Sequence, residues 1–310
     1  MPFSGEIHER VASAPAVPPG LPLVILLTGF TDAGSAVTGL IDHLQETTSP
    51  TPLVVFDNDM LLDYRARRPV ITFDRDHISE VRPARLELSL ARDALGQPFL
   101  LLSGYEPDFA WNAFADVVLA LADEYDASGV TWVHSIAMPV PHTRPIGTTV
   151  SGTRAELVAA HSVWRPRTQV PGTMGHLLEY RFAERGARVV GFVLLVPHYL
   201  ADTEHPGAVL AAADRVMTAT GLVLATDELR DRHADYLAKV EEQVGGNDEL
   251  RQMVVALEQR YDAYMAGMDF EEAASDGFDE RSLPSADELA AELERFLASR
   301  PNGDEDRNGR

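Results

Sequence analysis

The chain reads as an α/β protein, a sheet with helical crossovers followed by a helical appendage. Three observations predict this. Residues 23–27 form a short apolar run that leads through the Gly-bearing turn 29–34 into a helical pattern, the opening unit of such a fold. Apolar runs recur at 53–56, 99–103, 130–134 and 188–196, with helical patterns between them. From residue 226 the composition shifts, with 23 acidic against 10 basic residues.

Residues 1–22 carry several prolines and small residues and predict an extended arm, with a short strand near Ile7. Residues 23–28 are the first strand. Ala36, Val37, Leu40, Ile41 and Leu44 recur at helical spacing, so residues 33–45 form a helix with one face on the sheet. Residues 53–56 form a second buried strand, and the β-α-β order predicts a right-handed parallel crossover. Residues 70–73 and 84–90 read as extended segments on either side of a polar stretch, a hairpin or an antiparallel addition to the sheet. A strand at 99–103 leads through a turn at 104–108 to a helix over 109–125. The strand at 130–134 exits into the proline-rich stretch 135–144, and 153–161 is a short helix or extended segment. A helix opens near Pro171 and runs to about 183. The strand 188–196 precedes a helix over 206–221, and 222–225 is a last edge strand or the start of a linker. The expected count is five to seven strands.

Two amphipathic helices then meet at Gly245-Gly246-Asn247-Asp248. In the second, Leu250, Met253, Val254, Leu257, Tyr261, Tyr264 and Met265 recur at three and four. Residues 267–284 are an acidic loop. Ser285-Ala286-Asp287-Glu288 forms a capping box ahead of Leu289, Leu293, Phe296 and Leu297. The expected domains are a core over 1–225 with its N-terminal arm, an acidic helical appendage over 226–300, and a disordered tail over 301–310.

Composition removes several classes of function. A net charge of −22 argues against a nucleic-acid or anionic-membrane surface, which needs concentrated positive charge. The absence of cysteine excludes disulfides, thiolate nucleophiles and Cys-based metal sites. Lysine occurs once, at Lys239, so neither a Walker phosphate loop nor a Schiff-base lysine is expected. Residues 1–20 lack the pattern of a secretory signal, and no apolar run approaches the ~20 residues that span a bilayer. The expected location is the cytoplasm.

The turn Gly29-Phe30-Thr31-Asp32-Ala33-Gly34 lies where open α/β sheets place ligands, at a strand's carboxyl end. Its glycine spacing is not the dinucleotide fingerprint, and Asp32 would oppose a phosphate. A carboxylate there suits the free N–H groups of the next helix. His134, His142, His176 and His198 follow strands or start helices, so a three-His metal site is conceivable, but none has the HExxH spacing. Three prolines stiffen residues 139–145, where His142 and Arg144 could bind an acidic group, brace a subunit contact or pair with the acidic helices. No Gly-x-Ser-x-Gly elbow is present; Ser35 and Ser103 read as ordinary turn or cap residues.

Five stretches, taken together and in order, resemble a family. They are Gly29-Phe30-Thr31-Asp32-Ala33-Gly34, Tyr105-Glu106-Pro107 with Trp111, Pro141-His142-Thr143-Arg144-Pro145, Val170-Pro171-Gly172-Thr173-Met174, and Val196-Pro197-His198-Tyr199-Leu200. The family is proteasome assembly chaperone 2, in its bacterial, actinobacterial-type branch, and the likeness runs from residue 23 to 224 with a weaker match beyond. The resemblance implies a three-layer α/β/α sandwich with a mixed, mostly parallel sheet, similar to phosphorylase/hydrolase-like folds. It also implies a chaperone-like or scaffolding role, homo-oligomers, and protein partners related to the proteasome. Archaeal relatives engage the proteasome through a C-terminal hydrophobic-Tyr-any residue tail; this chain ends Asp306-Arg307-Asn308-Gly309-Arg310, so tail-mediated docking is not carried over.

The first expectation is therefore a non-enzymatic, oligomeric assembly or scaffolding protein with no cofactor, no metal and no nucleic-acid or membrane partner. The alternative is a hydrolase- or phosphorylase-like enzyme or a small-ligand protein. The candidate pocket or interface residues are Gly29, Phe30, Asp32, Gly34, Glu106, His142, Arg144, Pro145, Gly172, Thr173, Met174, His198 and Tyr199; no catalytic residue is assigned.

Overall fold

The strand Pro22–Thr28 (β2) is buried on both faces, and each face organises one half of the core. Leu23, Ile25 and Leu27 point into a cluster with the helices Trp111–Glu124 (α3) and Met174–Glu184 (α5). Val24 and Leu26 point the other way, into a cluster with Ala36–Thr48 (α1) and Pro206–Thr220 (α6). A continuous apolar run is what a strand covered on both sides requires. The result is a three-layer α/β/α sandwich, seen in a computed structural model that describes residues 7–164 and 168–267.

The remaining strands are His8–Arg10 (β1), Thr51–Phe56 (β3), Val70–Asp74 (β4), His77–Arg82 (β5), Leu86–Arg92 (β6), Pro98–Tyr105 (β7), Gly129–Met138 (β8), Gly147–Gly152 (β9) and Val189–Pro197 (β10). Eight of them form one mixed sheet in the order β1-β3-β6-β7-β2-β8-β10-β9, and β4 and β5 form a separate hairpin. Strands β7, β2, β8 and β10 are mutually parallel, while β1, β6 and β9 run against their neighbours.

The ten strands among the described residues exceed the expected five to seven. The additions are those with weak apolar patterns. In β9 only Val150 is apolar, and it pairs antiparallel with β10 at the sheet edge. Gly152 there has φ +114°, and a Cβ would lie 2.3 Å from the Val189 carbonyl oxygen. The crossover through α1 also lands differently from expectation: β3 shares the direction of β2, but β6 and β7 lie between them. A helical crossover sets strand direction, whereas adjacency is decided by the competition of distant strands for the two sides of β2. Strand β7 runs to Tyr105 and places Ser103 inside it rather than in a turn, and β8 continues to Met138.

Residues 222–225 form no strand. Leu222 and Leu224 are buried, while the Val223 N–H donates to Asp93 at 2.8 Å and its carbonyl accepts from Ala94 at 2.9 Å. The chain then enters Asp227–Gly245 (α7), which packs on α6 through Leu229, while the Tyr236 hydroxyl pairs at 2.7 Å with Thr203 in the loop that leads into α6. Asp248–Met265 (α8) follows, with Val254 and Leu257 buried. Two short helices, Asn58–Leu61 (α2) and Ala155–His161 (α4), and the single 3-10 turns Ala33–Ser35 and His198–Leu200 complete the described elements. By compactness the chain divides into residues 1–258 and 259–310. The expected acidic loop, the helix after Ser285 and the tail lie outside the described residues. Among the described residues, no helix is long and apolar enough to cross a membrane.

Candidate functional site

At the carboxyl ends of β2, β7 and β8 the polar side chains turn inward on one another. Glu106, immediately after β7, is buried; its carboxylate accepts from the Met174 N–H at the start of α5 and from the Phe30 N–H. Its own N–H donates to the Thr28 carbonyl at 2.9 Å. Gly29 permits this approach, because a Cβ there would lie 2.8 Å from Glu106 Oε2. Burial raises the pKa of Glu106, opposed by the Met174 N–H and by Arg67. The Arg67 guanidinium donates to the Glu106 carbonyl at 2.6 Å, pairs with Asp108 at 3.4 Å and lies over the Tyr105 ring.

Thr173 caps α5. Its hydroxyl accepts from the His176 N–H at 3.4 Å, and His176 Nδ1 accepts from the Thr173 N–H at 3.1 Å, a capping box with histidine in the place usual for Glu or Gln. The His176 ring faces that of His134, which is buried inside β8 with Nε2 3.2 Å from the Thr31 hydroxyl. Burial, then the neighbouring His176, pull the pKa of His134 down to about 4, against a smaller upward pull from Asp32.

Asp32 is spent on a structural task. Oδ1 and Oδ2 accept from the N–H groups of Val37 and Thr38, each at 2.8 Å, in the first turn of α1. The Thr38 and Ser135 hydroxyls add bonds of 2.7 and 3.0 Å. Asp32→Ala is expected to destabilise the protein by about 2 kcal/mol, the upper end for a lost cap, because hydroxyl partners are lost as well. Urea unfolding checks this, with Asp32→Asn expected to recover part of the loss.

The remaining candidates lie elsewhere. The Tyr199 hydroxyl accepts from the His142 N–H at 2.8 Å and sits 2.6 Å from His142 Nδ1. Burial lowers the pKa of His142 and raises that of Tyr199. Arg144 and the Thr143 hydroxyl contact one Glu258 carboxylate oxygen of α8, at 3.2 and 2.6 Å. Of the options open for residues 139–145, pairing with the acidic helices is what the structure displays. His198 is exposed, with its ring edge-on to Tyr199, and Pro145, Gly172 and Phe30 are also exposed. Gly34 adopts φ +68° against His205 and Val196, tying the turn to the entry of α6.

The chemistry available is narrow. Ser135 donates to Asp32, whose carboxylate also accepts from the Val37 and Thr38 N–H groups, and not to a histidine. A neutral His134 can accept the Thr31 proton. The cavity beside it, lined by Glu106, Trp132, His134 and Thr173 among others, measures about 10 Å³. That is room for about one water molecule. His142, Arg144 and His198 do not line it. Among the described residues, no group of three or more His, Asp or Glu side chains is placed to hold a metal ion. Thr31 and Ser135 escape sequence reasoning because their partners lie 103 residues away.

Comparison with known proteins follows the same lines. A family model described as the PAC2 family matches residues 26–244. No curated protein matches the chain. A protein of unknown function from Corynebacterium glutamicum ATCC 13032 superposes with a TM-score of 0.80 at 31% identity, over 84% of this chain and 98% of its own. The Mycobacterium tuberculosis unknown function protein Rv2714 gives 0.78 at 38% identity, over 84% and 92%. The Mycobacterium tuberculosis proteasome-assembly chaperone homologue Rv2125 shares the fold, with a TM-score of 0.69 at 24% identity over 76% and 100%.

Proposed function

The chain belongs to the PAC2 family, and from that premise we propose that it acts without catalysis, as an oligomeric, chaperone-like assembly or scaffolding protein in the cytoplasm. One observation carries this reading. At the strand carboxyl ends Glu106, Met174, Thr31, His134, Asp32 and Ser135 are bonded to one another around about 10 Å³ of free volume, and the larger opening beside them, about 260 Å³, is lined by Gly34, Ser35, Asp42, His205 and Arg232, with no nucleophile–base pair set in it. The same rim turns large apolar side chains outward, Phe30, Tyr64, Phe109 and Val170 among them. That is the character of a surface that meets protein. The candidate residues around Gly29, Glu106 and Thr173 then act by holding the rim in shape. Those around His142, Arg144 and Tyr199 hold α8 against the sheet domain, and the acidic helices supply a partner-facing layer.

The partner class we propose is proteasome subunits, a reading supported by the family and by the printed name of Rv2125, a proteasome-assembly chaperone homologue of the same fold. The test mixes the full chain with purified proteasome α and β subunits from the same organism and follows assembly on native gels. A complex, or a changed rate of ring formation, is expected. Neither, together with a stabilising ligand in a thermal-shift screen of nucleotides, sugar phosphates and divalent metals, would overturn the reading. A ligand at 100-fold its Kd adds about 2.7 kcal/mol and would be visible.

A further inference from the structure

We propose that the opening between α1, α6 and α7 binds a small basic amino acid, a molecule with a cationic side chain and a free carboxylate. Such a site neither requires nor excludes the assembly role above. The opening measures about 260 Å³, close to the ~300 Å³ at which small-molecule sites begin. Gly39 and Val209 line it where α1 and α6 close on each other, and a Cβ at Gly39 would lie 2.6 Å from Val209 Cγ2.

Asp42 and Glu46, one turn apart on α1, and Glu204, shortly before α6, line the opening. None of the three makes a hydrogen bond or ion pair among the described residues. They face one another: burial raises the pKa of Asp42, and Glu46 and then Glu204 raise it further. Like charges gathered without a cation are costly, and a cation brought between them relieves the cost. A metal ion does not fit, because among the described residues no group of three or more His, Asp or Glu side chains is placed to hold one. Carboxylates spread this far suit the separated N–H groups of an organic ammonium or guanidinium ion.

Two buried histidines point to a ligand independently. His43 and His205 line the opening and are 7% and 2% exposed. Each spends one ring nitrogen on the backbone. His43 Nε2 lies 2.6 Å from the Ala225 carbonyl, so it carries the proton and Nδ1 is a bare acceptor. His205 Nδ1 accepts from the Gly207 N–H at 3.2 Å, so its Nε2 carries the proton. Neither His43 Nδ1 nor His205 Nε2 has a partner among the described residues, and neither is sealed from solvent. Polar groups on side chains this buried are ordinarily bonded, so a bound molecule completes both. His43 joins the carboxylates as an acceptor. His205 Nε2–H and the Arg232 guanidinium of α7 are donors, and they call for an anionic group on the same molecule. Three carboxylates against one guanidinium leave a surplus of negative charge, which a zwitterion with an extra cation balances.

Isothermal titration calorimetry on the full chain tests this with L-arginine and L-lysine. L-citrulline, which lacks the side-chain cation, and agmatine, which lacks the carboxylate, are titrated beside them. Saturable binding of L-arginine or L-lysine at one per chain is expected. Citrulline and agmatine are each expected to bind about tenfold more weakly or worse, the effect of one lost charge-assisted contact. The double variant Asp42→Asn/Glu204→Gln is expected to weaken L-arginine by about tenfold or more. Its melting temperature without ligand is expected to be unchanged or higher, because like-charge repulsion is removed. Absence of saturable heat with both amino acids, citrulline or agmatine binding as tightly as L-arginine, or full affinity in the double variant overturns the proposal and leaves the assembly role standing. Should the double variant misfold, Arg232→Ala on the exposed side of α7 decides. It is expected to weaken L-arginine and not agmatine, and unchanged L-arginine affinity overturns the proposal.

Discussion

Trp132→Ala is expected to lower the unfolding free energy by about 3–5 kcal/mol, the range for deleting a buried aromatic side chain. Trp132 sits in β8 with 2% exposure, and its surroundings are built to its shape. A Cβ at Gly175 would lie 2.4 Å from the indole, and one at Gly191 2.3 Å, so α5 and β10 close on the ring only because both positions are glycine. The indole N–H donates to Glu179 Oε2 at 2.7 Å, which also accepts from Ser151 at 2.8 Å, and the ring stands edge-on to His176. Glu179 is buried enough that its pKa is raised, so losing one of two donors worsens an already costly carboxylate. Trp132→Phe should retain most of the packing and lose the hydrogen bond, giving an intermediate loss. Urea unfolding followed by circular dichroism measures both. A loss below about 1 kcal/mol for Trp132→Ala would contradict this account of the core.

The second large expected effect is loss of stability on acidification from about pH 6.5 to about pH 4. His134 and His205 both have pKa values pulled down to about 4, by burial first and then by neighbouring histidines. Around His134 stand Thr31, His176 and Asp32. Around His205 stand His233, Tyr236 and His142, and its Nδ1 accepts from the Gly207 N–H at 3.2 Å. Between pH 4 and 6.5 the unfolded chain binds protons at these histidines that the folded chain refuses, so stability rises with pH across that window and falls as pH falls. Each difference corresponds to on the order of 3 kcal/mol when fully expressed. The raised carboxyls Glu106, Glu179 and Asp42 act with the opposite sign, contributing stability below their unfolded pKa that is lost as pH rises toward the folded value. Unfolding free energies measured at pH 7 and pH 5 should therefore differ strongly in the wild type and less in His205→Gln. Equal pH slopes in the two proteins would remove His205 from the explanation.

What could be read from the chain alone was local in origin. The β2 strand, its turn and α1 follow from apolar spacing over about twenty residues, and Asp32 as a cap follows from a carboxylate placed just before a helix. The helix starts at Thr173 and Pro206 and the break between α7 and α8 at Gly245-Gly246 are short-range in the same sense. The five family motifs were legible because each is a contiguous string.

Tertiary structure decided what those strings do together. Glu106 reaches Met174, Thr31 reaches His134 and Arg144 reaches Glu258 across 68, 103 and 114 residues. No periodicity records such pairs, which join the loops around Glu106 and His134 and, separately, tie Arg144 to Glu258 of α8. The same holds for β3, whose direction followed from its crossover while its place at a distance from β2 depended on which strands filled the gap. In the hairpin, a one-residue irregularity between Thr72 and Phe73 sets which side chains share a face. Sequence thus determined the elements and their caps, where bonds close within a turn. Register, strand adjacency and the exposure of the rim belong to contacts between distant residues, settled only when the layers pack.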